Sequence, residues 1–234
     1  GNHDRPGSGN AQPTWVQYLG EEGLLTLLAT PFSAEGPVLA NYDLESRRGA
    51  LLELDGVRFA GAGYLGAGTE RKVQAILKAL PADGLPTVML LHAGPEYFVG
   101  ETGGFSKETL ALLRERVTYL ALGHIHKPML HRDENGRPWA ANPGSPENCR
   151  LDEANQPGPR GWAELELLPG GLPGLTLLGA EIKDCPRRPV LRVELDVSVF
   201  GNKLKEGAKS IEAAAVKLIQ NRRAQPEAVV RLFL

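Results

Sequence analysis

Short apolar runs bounded by Gly and Pro recur along the chain, and their spacing alternates between two periods. The stretch GLLTLLATPF, from Gly23 to Phe32, predicts a strand. ALLELDGVRFAGAGYL predicts a hairpin, because Asp55-Gly56 suits a tight primed turn. In GTERKVQAILKALPADG, Val73, Ile76, Leu77 and Leu80 recur at helical spacing, and Pro81 stops the helix. PTVMLLHAGP predicts a short apolar strand ending in His92. FSKETLALLRERV predicts a second amphipathic helix, and VTYLALGHIHKP a further buried strand running into two histidines. Beyond Pro128 the pattern turns antiparallel. A hairpin is expected around Asn135-Gly136, then strands at GWAELELL and LTLLGAEI joined by a PGGLPG turn. KDCPRRP predicts a linker, followed by a strand (VLRVELDVS), a helix (GAKSIEAAAVKLIQNRRA) and a final strand (AVVRLFL). The expected class is α/β in two parts, residues 1–185 and a small α/β unit over 186–234.

Composition narrows this picture only a little. Hydrophobic residues make up 42% of the 234 and charged residues 23%, the balance of a soluble globular protein. No apolar run approaches the ~20 residues that span a bilayer, and no signal peptide is visible. The net charge of −2 is too low for a dedicated nucleic-acid module, so any contact with DNA falls to a local patch or a metal. Cys149 and Cys185 form no CxxC pair, which suits a reducing, cytoplasmic setting without disulfides.

The chemistry lies in five histidines: His3, His92, His124, His126 and His131. Three contexts hold four of them, GNHD, LLHAGP and ALGHIHKP. Imidazole nitrogens and an Asn carbonyl are ligands for divalent manganese, zinc or iron. Glycines before Asn2 and His124 let the backbone approach closely at tight loops. Each context alone is more often structural. Asn and Asp favour turns, a histidine at a strand end is commonly satisfied in place, and in an extended GHIH the two rings point to opposite faces. Their joint occurrence in one order is what counts. His131, on the arm of the expected hairpin, reads as a surface histidine.

That ordered triple resembles the calcineurin-like metallophosphoesterases, whose signature runs Asp-x-His, Gly-Asp-x-x-Asp, Gly-Asn-His-Asp/Glu, a lone His after a strand, and Gly-His-x-His. The last three stand here as residues 1–4, His92 and residues 123–126. YLALGHIHKP followed by a hairpin and NPGSPENCRLDE resembles the SbcD-type DNA double-strand-break repair nucleases, and RRPVLRVELDV looks like the entry to their DNA-binding cap domain. One departure is Arg5-Pro6 after Asp4, where that group often has Ser. The resemblance implies a two-sheet sandwich flanked by helices over 1–185 and the start of a cap domain over 186–234. It implies two divalent ions, manganese above all. Asn2, His92 and His124 would hold one and His126 the other. His3 would contact the phosphoryl oxygen and protonate the leaving group as general acid, with Asp4 behind it. It further implies DNA as substrate, an SbcC-like coiled-coil ATPase as partner, and a homodimer.

The first two motifs are missing. No Asp is followed two residues later by His, and no Gly-Asp dipeptide occurs. The expectation is therefore a chain from which an N-terminal part of the domain is absent, catalytically dead by itself. Lys127, Arg132, Arg150, Arg187, Arg188 and Arg192 are the candidate backbone-directed DNA contacts. Two alternatives stay open: a small-molecule or cyclic-nucleotide phosphodiesterase or phosphatase of the same superfamily, and a metal-free scaffold without catalysis.

Overall fold

The computed structural model describes residues 14–99, 103–155, 158–170, 174–196, 198, 204–222 and 228–233. Helix α1 (Trp15–Glu21) starts at a capping box: the Thr14 side chain accepts from the Gln17 backbone, and the Gln17 side chain accepts from the Thr14 backbone. The strand expected over Gly23 to Phe32 does not form. Residues 23–25 form a turn and a bend, and the rest joins no ladder until β1 (Phe32–Ser33), which pairs with β2 (Gly36–Pro37). Single bonds hold it instead, from Ala29 N–H to the Gly49 carbonyl and from the Thr30 hydroxyl to the Gly61 carbonyl. Leu28 lies flat over Gly61, where a Cβ would come within 2.3 Å of the Leu28 Cβ.

Strands β3 (Leu51–Leu54) and β4 (Val57–Ala62) form the expected hairpin, with Asp55 at φ 50° and Gly56 at φ 74° as a primed turn requires. Helix α2 (Thr69–Ala79) follows, then β5 (Thr87–Leu91), β6 (Gly94–Pro95), α3 (Glu96–Val99), β7 (Gly104–Phe105), α4 (Lys107–Arg116) and β8 (Tyr119–Leu122). The hairpin around Asn135 is β9 (Met129–Arg132) and β10 (Pro138–Asn142). Its turn is organised by the Asp133 carboxylate, which accepts from the backbone of Asn135 and Arg137.

The hairpin is antiparallel, as expected, and it also joins the central sheet. β10 also pairs in parallel with β8, so it completes one six-stranded sheet in the order β3-β4-β5-β8-β10-β9. Strands β4, β5, β8 and β10 run parallel; the edges β3 and β9 run against them. Ala140 and Ala141 give β10 small apolar groups on both faces, which an interior strand can bury.

Side chains of these strands alternate between two cores, as a period of two demands. One face sends Ala60, Ala62, Met89, Leu91, Leu120 and Leu122 against Val73, Ile76 and Leu77 of α2 and Leu113 of α4. The other packs Val57, Val88 and Tyr119 against Ala163 and Leu165 of β11 (Gly161–Gly170), which is paired with β12 (Gly174–Asp184). Residues 171–173 of the expected PGGLPG turn lie outside the described residues. His131 is no surface histidine. Its ring is half-buried with its centroid 6.0 Å from that of Trp139, and burial pushes its pKa below the usual imidazole value.

Backbone contacts divide the chain into two compact units. One runs up to Ser145 and includes Pro159–Asp184; the other joins Pro146–Gly158 to the residues from Cys185 onward. The second is a βαβ unit: β13 (Val190–Glu194) and β14 (Val229–Phe233) pair in parallel, with α5 (Leu204–Asn221) between them in sequence. Within it the Glu147 carboxylate lies 3.2 Å from the Arg188 guanidinium. Both cysteines are free thiols. Among the described residues no helix is long and apolar enough to cross a membrane.

Candidate metal centre

Three neighbouring parallel strands deliver an aromatic ring at their carboxyl ends, where open α/β sheets hold their ligands. Tyr64 lies two residues past β4, His92 directly after β5, and His124 two residues past β8. The ladder continues into this edge, since His92 N–H donates to the Ala62 carbonyl and Gly123 N–H to the Leu91 carbonyl. The His92 and His124 ring centroids are 5.1 Å apart at an interplanar angle of 62°. Tyr64 stands beside both, 5.2 Å from His124 and 6.2 Å from His92.

Close packing of backbone brings the rings together. A Cβ on Gly123 would sit 3.0 Å from His92 Nδ1, so the glycine makes room for that imidazole. On the other side Gly103, at φ 88°, passes so close that a Cβ would lie 3.1 Å from the Tyr64 ring and 3.4 Å from His124 Nε2. His124 itself has φ 77°, the left-handed region that a non-glycine residue seldom adopts. This resolves the alternation problem of GHIH. The chain leaves the extended form at His124, so its ring is turned toward His92.

The loop that bears Gly103 is anchored from α2. The Glu70 carboxylate accepts from the Ser106 backbone, the Ser106 hydroxyl and the Thr109 hydroxyl, at 2.6–2.8 Å, and from the Gln74 amide at 2.9 Å. Burial alone would push the Glu70 pKa up, but these donors, Thr109 and Ser106 foremost, together hold it below the usual value. Ser106 also caps α4, its hydroxyl accepting from Thr109 N–H.

Of the residues singled out from the sequence, Asn2, His3 and Asp4 lie outside the described residues. His92 and His124 are brought together, and His126 follows on the same loop, half-buried. The candidate DNA-contacting cations fall into two sets. In the first unit, Lys127 is exposed beside the histidine loop, and Arg132 is exposed with its guanidinium donating to the Gly136 carbonyl. In the second unit, Arg150 pairs with Asp152 at 3.3 Å, Arg188 with Glu147 at 3.2 Å and Arg192 with Glu194 at 2.7 Å. Arg187 is half-buried there. Those carboxylates neutralise much of the positive field that a phosphate backbone needs.

Tyr64 escaped the sequence. Its only signal was position, just past a strand parallel to the two that end in histidine. The donor chemistry of the site suits a borderline divalent cation. Two imidazoles bound at ~2.1 Å to one such ion keep ring centres within roughly 6.5 Å of each other, and 5.1 Å lies inside that span. No family model matches the chain, and neither does any of the curated proteins searched.

Proposed function

We propose that this chain carries part of the dinuclear metal centre of a calcineurin-like metallophosphoesterase of the SbcD type, a nuclease hydrolysing DNA phosphodiesters in double-strand-break repair. The carrying observation is the meeting of His92 and His124, 32 residues apart, at the ends of adjacent parallel strands, with His124 in a left-handed backbone conformation. Backbone strain of that kind persists where the surroundings enforce it, and it gathers at functional sites. The order of GNHD, the lone histidine and GHIH supplies the family, and the segment after Pro128 supplies the preference for DNA over a small phosphoester.

In this reading His92 and His124, with Asn2, hold one divalent cation, expected to be manganese, and His126 serves the second. Bound divalent ions supply an activated water and neutralise the phosphoryl charge. The rest falls to side chains. Tyr64 closes one wall of the site, His3 donates the proton to the departing oxygen, and Lys127 and Arg132 meet the phosphate backbone. The βαβ unit is read as the start of the cap domain, and an SbcC-like ATPase and a second copy of the chain as partners. The 234 residues offer no Asp-x-His and no Gly-Asp-x-x-Asp donor. The bridging carboxylate that offsets repulsion between two dications is thus lacking, and these residues alone are expected to be inactive.

Zinc titration followed by the histidine ring signals in NMR tests the reading. The His92 and His124 signals should shift together, well before that of His131. A uniform response of all histidines, or none, would sink the metal centre. The nuclease part is tested by manganese-dependent degradation of linear duplex DNA with the two missing motifs supplied upstream. Hydrolysis of nitrophenyl phosphodiesters without attack on DNA would favour the small-substrate alternative.

A further inference from the structure

The segment from Asn142 to Ser145 meets the histidine loop along its backbone. Asn142 ends β10 and is 1% exposed. Its side-chain amide donates to the Ile125 carbonyl at 2.6 Å and to the Lys127 carbonyl at 2.8 Å. Between them, the His126 carbonyl accepts from Ser145 N–H at 3.0 Å. Three consecutive carbonyls are therefore satisfied by one short segment. In an extended strand successive carbonyls point to opposite sides, so a loop held this way cannot continue β8 as a straight strand.

The chemistry of position 142 is narrow. Only a primary amide on a short arm offers two N–H donors at one point. Aspartate would set a carboxylate against two carbonyls, and leucine would leave both unpaired in a buried place. Gly144, at φ 77°, brings the segment so close that a Cβ would lie 2.8 Å from the His126 carbonyl oxygen. Arg160, also 1% exposed, supports the far side, its guanidinium donating to the Ser145 hydroxyl at 3.1 Å and its backbone N–H to the Asp184 carboxylate at 2.9 Å.

We infer that Asn142 is a positioning residue: with Gly144 and Ser145 it bends the loop after β8 so that His124 faces His92 and His126 follows at a fixed offset. Its consequence for metal binding rests on the proposed function above; its geometric content does not. The test uses the 234-residue protein with Asn142→Ala and, separately, Gly144→Ala, which keeps both amide donors but pushes on the His126 carbonyl. Two readouts are taken: the NOE between the His92 and His124 ring protons, and the affinity for zinc alone. Amide exchange at Met89 and Leu120 reports whether the sheet is intact.

The native protein should show the inter-ring NOE. Both variants should lose it and bind zinc about tenfold more weakly or worse, as supporting-residue changes do at metal sites, with the sheet amides still protected. If Asn142→Ala does not fold, Gly144→Ala decides alone. Retention of the NOE and of affinity within twofold overturns the inference, as does absence of the NOE from the native protein. A native protein that shows the NOE but takes up no zinc, with variants that lose the NOE, leaves the positioning role standing and removes the metal reading.

Discussion

The two ends of the central parallel strands are built on opposite principles. At the amino end, Arg58 is 2% exposed and its guanidinium is held by the carboxylates of Glu53 and Asp83. There the Thr118 hydroxyl accepts from Thr87 N–H. At the carboxyl end, two imidazoles and a phenol crowd together, a histidine sits in left-handed backbone, and a glycine is required beside each histidine ring. The first end satisfies its charges and holds the sheet. The second keeps potential ligands close to one another at a cost in backbone strain. Stability and chemistry are thus separated along the same strands, and each end can be perturbed while the other is watched.

The largest effect is expected at the amino end. Arg58→Ala removes a buried side chain and its hydrogen bonds, and should cost about 2–3 kcal/mol in urea unfolding. The inter-ring NOE at the carboxyl end should survive. Its loss would show that the two ends are not independent.

Next comes Gly123→Ala, whose new methyl meets His92 Nδ1 at 3.0 Å. Zinc affinity measured by calorimetry should fall roughly tenfold, with stability changed by less than about 1 kcal/mol. Unchanged affinity would mean that the ring moves aside freely and that its present position is not required.

Acid sensitivity separates the ends further. The Arg58 guanidinium beside Asp83 holds that carboxyl down at about 2, against an ordinary 3.8. Its contribution is present in full above pH 3.8 and is lost as pH falls through about 2. Urea midpoints should therefore drop across that window, and less steeply in Asp83→Asn. Parallel curves for the two proteins would contradict the ion pair.

The smallest effect belongs to His131, whose pKa burial lowers from the ordinary 6.5. The folded state disfavours its proton, so stability is full above pH 6.5 and declines as pH falls below it. His131→Leu should flatten the urea midpoint between neutral and mildly acidic pH. A slope unchanged from the native protein would place the titration elsewhere.

Much of the element order was written locally. The Asp55-Gly56 turn, the α2 stripe ending before Pro81, and the apolar runs into His92 and His124 follow from turn chemistry and periodicity at short range. The stretch after Gly23 was misleading, because an apolar run can be covered by a neighbour without joining a ladder, as Leu28 over Gly61 shows. His131 misled for a related reason: its polar neighbours in sequence gave no hint of Trp139 across the hairpin.

By itself, then, the sequence determined which residues end strands and which side chains could donate to a cation, since both are properties of a few adjacent positions. Only the tertiary structure decided which of those side chains meet. The parallel pairing of β4, β5 and β8 sets Tyr64, His92 and His124 on one edge. The left-handed turn at His124, with three following carbonyls held by Asn142 and Ser145, comes from a segment some 20 residues downstream by the spacing of a short hairpin. Ring orientation depends on contacts between distant parts of the chain, and no local pattern encodes it.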